Sequence, residues 1–222
     1  MREEVVRRIL STKLIAIVRG IAGESCMALA EALCESGVEM IEFTFDQKNP
    51  LGNEEVADTI NNIRVRFGDK LLPGAGTVTT PDLVDLAGRA GALYIISPDM
   101  NPAVIEHTRE RGLVSIPGAL SPTEILSAHR AGADFVKIFP ASVLGTEYIK
   151  AIRAPINHVK LLAVGGINAE NIGDFLSAGV VGAGVGGNLV SKKLVAEGRF
   201  AEIREYAGTL VKNAAAGTKQ NS

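Results

Sequence analysis

"AGADFVKIFP", residues 131 to 140, sets a small residue and a glycine before an apolar run that a single lysine interrupts. A glycine in that place suits the left-handed residue that ends a helix. The run behind it reads as a strand in which alternation sends Phe135, Lys137 and Phe139 to one side. The same punctuation recurs along the chain: Ser36-Gly37 stands before "VEMIEFTF", Phe67-Gly68 before "DKLLPGAGTV", Ala90-Gly91 before "ALYIISP", Arg111-Gly112 before "LVSIPGAL" and Ala178-Gly179 before "VVGAGVGG". "LIAIVR" at 14–19 and "VKLLAVGG" at 159–166 complete a set of eight candidate strands. Each interval of about two to three dozen residues holds one strand and one helix, the length of a βα unit. The strands are nearly continuous apolar runs, as in a parallel sheet covered by helices. Eight such units predict an α/β fold of the closed (β/α)8 TIM-barrel kind, with an open doubly wound sheet as the runner-up.

Helix starts support the count. Thr80-Pro81 and Ser121-Pro122 each put a capping hydroxyl before a proline at the first helical position, and Asn168 precedes "AENIGDFLSAG". The last helix is expected over residues 198–214. No internal linker is visible, so the chain reads as one barrel domain over 1–214, followed by a frayed tail, "AAGTKQNS", at 215–222.

The composition narrows the function classes. A net charge of −2 and the lack of any basic stretch interleaved with aromatics argue against nucleic acid or an acidic membrane surface as partner. A small-molecule substrate fits better. Cys26 and Cys34 lie eight residues apart in a helical pattern, which separates their α-carbons by roughly 12 Å, too far for a disulfide. With no signal-peptide pattern and no apolar run of membrane-spanning length, the expectation is a cytoplasmic protein. His107, His129 and His158 are scattered, so neither a metal site nor a cofactor is expected.

In such a barrel, chemistry sits where the strands end. The polar residues at these ends are Arg19, Glu42, Thr44, Thr77, Ser97 and Lys137, followed by the pairs Gly165-Gly166 and Gly186-Gly187. A lysine pointing into a barrel is desolvated, its ammonium form is disfavoured, and the free amine becomes a nucleophile for a carbonyl. Taken alone, Lys137 would be read as a lysine that reaches water or an ion-pair partner, as is expected of Lys160. Glu42, on the inward face of the second strand, makes the difference, because a buried carboxylate is costly unless it is paired or used. Beside an amine it can shuttle protons. "GAGT" at 74–77, "VGG" at 164–166 and "GVGGNL" at 184–189 offer unhindered backbone, and the loops after the last two strands are the usual phosphate site of these barrels.

Together, "LIAIVRGI", "IEFTF", "GAGTV", "ISP", "KIFP", "AVGGI" and "GAGVGGNLV" resemble, in order and spacing, the class I family of 2-keto-3-deoxy-6-phosphogluconate (KDPG) and 4-hydroxy-2-oxoglutarate (KHG) aldolases. The resemblance implies that Lys137 is the Schiff-base lysine, Glu42 the general acid and base, and Thr77 a substrate-contacting hydroxyl. It also implies that Pro98 and Phe139 line the substrate site, and that Gly165, Gly166, Gly186, Gly187 and Asn188 cradle the phosphate. Some members carry an arginine after the second-strand motif to hold the pyruvyl carboxylate; here Asp46 stands there. "LIAIVRGI" looks like the first strand of the 6-phosphogalactonate branch, which assigns that role to Arg19. Asn188 replaces a serine of many relatives. The implied reaction is reversible cleavage of a 2-keto-3-deoxy-6-phospho sugar acid, or of 4-hydroxy-2-oxoglutarate, to pyruvate and an aldehyde, and the implied assembly is a homotrimer. The rival readings are a phosphate-binding isomerase or epimerase using Glu42 without covalent chemistry, and a non-catalytic sugar-acid-binding barrel.

Overall fold

The computed structural model describes residues 1–217. Its strands are β1 (Leu14–Val18), β2 (Met40–Thr44), β3 (Leu72–Gly76), β4 (Tyr94–Ile96), β5 (Val114–Ile116), β6 (Gly118–Ala119), β7 (Val136–Ile138), β8 (Leu161–Val164) and β9 (Gly182–Val185). They form one sheet in the order β5-β4-β3-β2-β1-β9-β8-β7-β6, with parallel pairing throughout. Every candidate strand has its counterpart, and the fifth is divided in two. Pro117 divides it, because a proline has no N–H to give to a ladder. Its carbonyl still accepts from Lys137 N at 2.8 Å, and Ser115 O accepts from Asp134 N at 3.0 Å, so β5 and β6 together carry the sheet across to β7 and close the barrel.

The helices are α1 (Arg2–Thr12), α2 (Gly23–Glu35), α3 (Asn53–Phe67), α4 (Pro81–Arg89), α5 (Pro102–Glu110), α6 (Pro122–Arg130), α7 (Ala141–Arg153), α8 (Ile172–Ser177), α9 (Lys192–Ala196) and α10 (Phe200–Ala216). Thr80 caps α4 through Leu83 N, and Ser121 forms a full capping box with Glu124 at the start of α6, each followed by its proline. Asn168 acts one turn before α8, its Oδ1 accepting from the backbone of Glu170 and Asn171. The last helix runs two residues past its expected end, through Ala216, and the expected tail from 218 on lies outside the described residues. No described helix is long and apolar enough to cross a membrane.

Two apolar layers position the site. One lies between the sheet and its helices and includes Ala16, Val18, Ile41, Phe43 and Val136. The other fills the lower barrel with Ile15, Met40, Leu72, Tyr94, Phe135 and Leu162, and is sealed from below by Val5 and Ile9 of α1. This N-terminal helix lies outside the predicted βα units; its apolar residues, four apart, face the barrel floor. With the floor filled, only the upper barrel is open to a ligand.

Candidate active site

Strand alternation decides which side chains enter the upper barrel. On β7, Phe135 packs into the floor, Lys137 comes next on the same face, and Phe139 follows at the rim, 42% exposed. Lys137 is 8% exposed, and its Nζ lies 4.7 Å from the centre of the Phe139 ring. On β2, Met40 is in the floor and Glu42 stands above it, 2% exposed. Both ionisable groups line one cavity of about 790 Å³ that opens at the C-terminal ends of the strands. All the residues that the family resemblance assigns to the site, from Arg19 to Asn188, contribute to its wall.

The glycines of "GAGT" make room for neighbouring side chains. A Cβ at Gly74 would lie 2.2 Å from the Tyr94 ring, and one at Gly76 would lie 1.7 Å from Glu42 Oε1. The absent side chains of β3 are thus the space in which a floor tyrosine and a carboxylate sit. Tyr94 in turn is a buried phenol, held well above its ordinary pKa by burial and by the charge of Glu42.

Electrostatics set both groups up for proton traffic. Burial raises the Glu42 pKa, against the opposing pull of Lys137 and Arg19, and its Oε2 is buried with no hydrogen-bond partner among the described residues. Burial lowers the Lys137 pKa; the Glu42 charge works against this shift and the Arg19 charge with it. A lysine with a depressed pKa presents free amine, and a carboxyl with a raised pKa exchanges protons nearer neutrality.

Around this pair the rim is built from loops. Arg19 follows β1 directly and has no hydrogen-bond or ion-pair partner among the described residues. Thr77, just after β3, has φ 58°, a conformation that costs a β-branched residue about 1–3 kcal/mol. Gln47 from the loop after β2 holds it, donating Nε2 to Thr77 O at 3.0 Å and accepting from Thr79 Oγ1 at 3.0 Å. Gly165 and Gly166 turn the chain after β8 with φ 95° and 75°, and a Cβ on Gly166 would lie 2.0 Å from Ser142 Oγ. Gly187 faces open space, and Asn188 ties the two glycine loops together by donating Nδ2 to Ile167 O at 2.9 Å.

Two residues depart from their expected places. Thr44, two positions beyond Glu42, lines a neighbouring cavity of about 450 Å³, and Ser97 is buried outside the cavity wall. Asp46 shapes the loop after β2: its N–H donates to Asn53 Oδ1 and its Oδ1 accepts from Lys48 N, an Asx-type turn. Lys192 and Ser191, at the start of α9, line the cavity although nothing in the sequence pattern marked them. A lysine at a helix start reads as solvated surface; the missing information was the loop geometry. Among the described residues no group of three His, Cys, Asp or Glu side chains is placed to hold a metal.

A buried amine whose basicity burial lowers, in one cavity with a buried carboxyl at the C-terminal mouth of a parallel βα barrel, is the arrangement that a carbonyl-attacking barrel lyase requires. The sequence matches the family described as KDPG and KHG aldolase over residues 5–206, and the chain belongs to that family: it is an aldolase. It is similar to the 2-dehydro-3-deoxy-6-phosphogalactonate aldolase of Escherichia coli K12, with 37% identity over 79% of this chain and 83% of the relative. It is also similar to the 2-dehydro-3-deoxy-phosphogluconate aldolase of Treponema pallidum, with 35% identity over 81% and 83%. Among solved structures, one described as native KDPGal superposes with a TM-score of 0.83 at 34% identity, covering 93% of this chain and 96% of that one. A KDPG aldolase from Legionella pneumophila, with pyruvate captured as a covalent carbinolamine, superposes with a TM-score of 0.83 at 26% identity, covering 95% and 98%.

Proposed function

We propose that this protein is a class I aldolase that reversibly cleaves a 2-keto-3-deoxy-6-phospho sugar acid, the gluconate or the galactonate epimer, or 4-hydroxy-2-oxoglutarate, to pyruvate and the corresponding aldehyde. One observation carries the reading: the buried Lys137 amine, its basicity lowered, lines one cavity with Glu42, whose Oε2 has no hydrogen-bond partner among the described residues. Lys137 adds to the keto carbon, and the carbinolamine loses water to give an iminium. Glu42 takes the proton of the hydroxyl on the fourth carbon; the bond between the third and fourth carbons breaks, its electron pair enters the iminium, and the aldehyde leaves. Protonation of the enamine and hydrolysis release pyruvate and regenerate the amine. Arg19 pairs with the pyruvyl carboxylate, Thr77 supplies a hydroxyl, and the glycine loops around Gly166 and Gly187 receive the phosphate. The reading extends to a homotrimer in the cytoplasm, as the family resemblance implies, and light scattering of the purified chain measures the assembly.

Incubation with pyruvate and borohydride, followed by digestion, tests the covalent step. The expected outcome is a reduced adduct on the peptide containing Lys137, absent from Lys137→Ala, whose cleavage rate falls by at least about 10⁴-fold. Turnover without any adduct would favour proton transfer by Glu42 alone.

A further inference from the structure

Lys192 opens α9, directly after the loop that holds Gly187 and Asn188. Its side chain reaches the loop after the neighbouring strand β1, where a Cβ built on Gly20 would lie 3.0 Å from its Nζ. Gly20, at φ 62°, leaves the slot in which the ammonium rests. There Lys192 lines the catalytic cavity and the neighbouring one, and on both walls it is joined by Arg19. Neither cation has a hydrogen-bond or ion-pair partner among the described residues. Other surface cations close by are paired: Lys193 reaches Glu197 at 4.0 Å, and Arg199 binds both Glu197 and Glu202. Two unpaired cations on one cavity wall favour a ligand that carries more than one anionic group.

The two cations serve different ends of a ligand. Arg19 follows β1, whereas Lys192 opens α9 just after Gly187 and Asn188, with which it lines the cavity. Its own loop is the one read above as part of the phosphate cradle.

We propose that Lys192 is a specificity residue that binds the terminal phosphate of the substrate from the start of α9, beside the glycine loop after β9, and so separates phosphorylated sugar acids from their unphosphorylated counterparts. This rests on the aldolase reading above and adds a side-chain cation to a phosphate site otherwise formed by glycine loops. A strongly hydrated ammonium on a long stem suits a dianion whose position varies between epimers.

The test compares wild type, Lys192→Met and Lys192→Arg in steady-state cleavage of a phosphorylated 2-keto-3-deoxy sugar acid and of the same acid without phosphate. In Lys192→Met the KM for the phosphorylated acid is expected to rise about tenfold, the size of one charge-assisted hydrogen bond, with kcat little changed. The KM for the unphosphorylated acid and the rate of borohydride-trapped pyruvate adduct stay at their wild-type values, and Lys192→Arg restores most of the loss. An equal KM rise for both acids, or slower pyruvate trapping, would move Lys192 to the carboxylate end and overturn the proposal. So would an unchanged KM in an active enzyme. Wild-type protein that cleaves neither acid would remove the aldolase reading itself, and the inference with it.

Discussion

At the floor of the barrel Arg2 binds Asp134 through two hydrogen bonds and Arg8 binds Glu39 at 2.6 Å, whereas at the mouth Arg19, Lys192 and the Oε2 of Glu42 have no partner among the described residues. The floor also closes the sheet: Asp134 accepts from Ser115 N at 3.0 Å and gives its own N–H to Ser115 O, joining β5 to β7 where Pro117 interrupts the ladder. The same fold therefore satisfies its polar groups where it needs stability and leaves them unsatisfied where it needs chemistry. An unpaired buried carboxylate costs free energy that a paired one does not.

A crossed pair of substitutions breaks this contrast most severely. Glu42→Gln is expected to lower kcat by about 10²–10⁴-fold, as for loss of a general acid–base group, while raising stability by about 1 kcal/mol because a desolvated carboxyl gives way to a neutral amide. Asp134→Ala does the reverse. It strips two bonds from Arg2 and one from Ser115 N, costs about 1.5–3 kcal/mol of stability, and leaves kcat close to wild type. Denaturant melts and initial rates on the two variants measure this, and loss of stability in Glu42→Gln would mean that the carboxylate is structural.

The next largest effect separates two glycines on a single strand. Alanine at Gly76 puts a methyl group where Glu42 Oε1 sits, and alanine at Gly74 puts one into the Tyr94 ring. Gly76→Ala is expected to reduce kcat by about 10²-fold through misplacement of the carboxylate. Gly74→Ala is expected to cost about 1–3 kcal/mol of stability by overpacking the floor, with the smaller effect on turnover. Rates and melting temperatures of the two variants should rank in opposite orders.

Much of this arrangement is legible in the sequence because its causes are local. Glycine before an apolar run, Thr-Pro and Ser-Pro at helix starts, and alternation through Phe135, Lys137 and Phe139 are short-range signals, and they define the barrel and the inward lysine. Glu42 is legible because a carboxylate in an apolar strand demands an explanation. What is not legible depends on pairs distant in sequence. Gly76 reads as an open backbone position until Glu42, 34 positions away, is seen to occupy its side-chain space. The crossing of Lys192 to Gly20 depends on two loops that meet only when the barrel closes. Nor does Thr44 reveal its place: strict alternation from Glu42 puts it in the catalytic cavity, yet at the strand end it lines the neighbouring one. The helix α1 follows a clear four-residue spacing of Val5 and Ile9, but it belongs to no βα unit, so a reading built on repeats passes over it.

The finest distinction lies within the mouth itself, between charges that act on Lys137 and charges that do not. Only the neutral amine forms the pyruvate adduct, so at fixed pyruvate the trapping rate rises with pH through the Lys137 pKa, which burial sets below the ordinary lysine value. Glu42 opposes that depression and Arg19 adds to it. Glu42→Gln should therefore move the inflection to lower pH and Arg19→Met to higher pH. Lys192→Met should leave the inflection in place. Stability carries the same signs. For Lys137, lowered in the fold, stability is lost as pH falls from the unfolded lysine value through the folded one; for Glu42, raised in the fold, it is lost as pH rises from the unfolded carboxyl value through the folded one. The Lys137→Met and Glu42→Gln variants should each lack the corresponding slope in a pH series of denaturant melts. Inflections that coincide in Arg19→Met and Glu42→Gln would show that neither charge reaches the amine, leaving desolvation by the barrel wall as the sole cause of its reactivity.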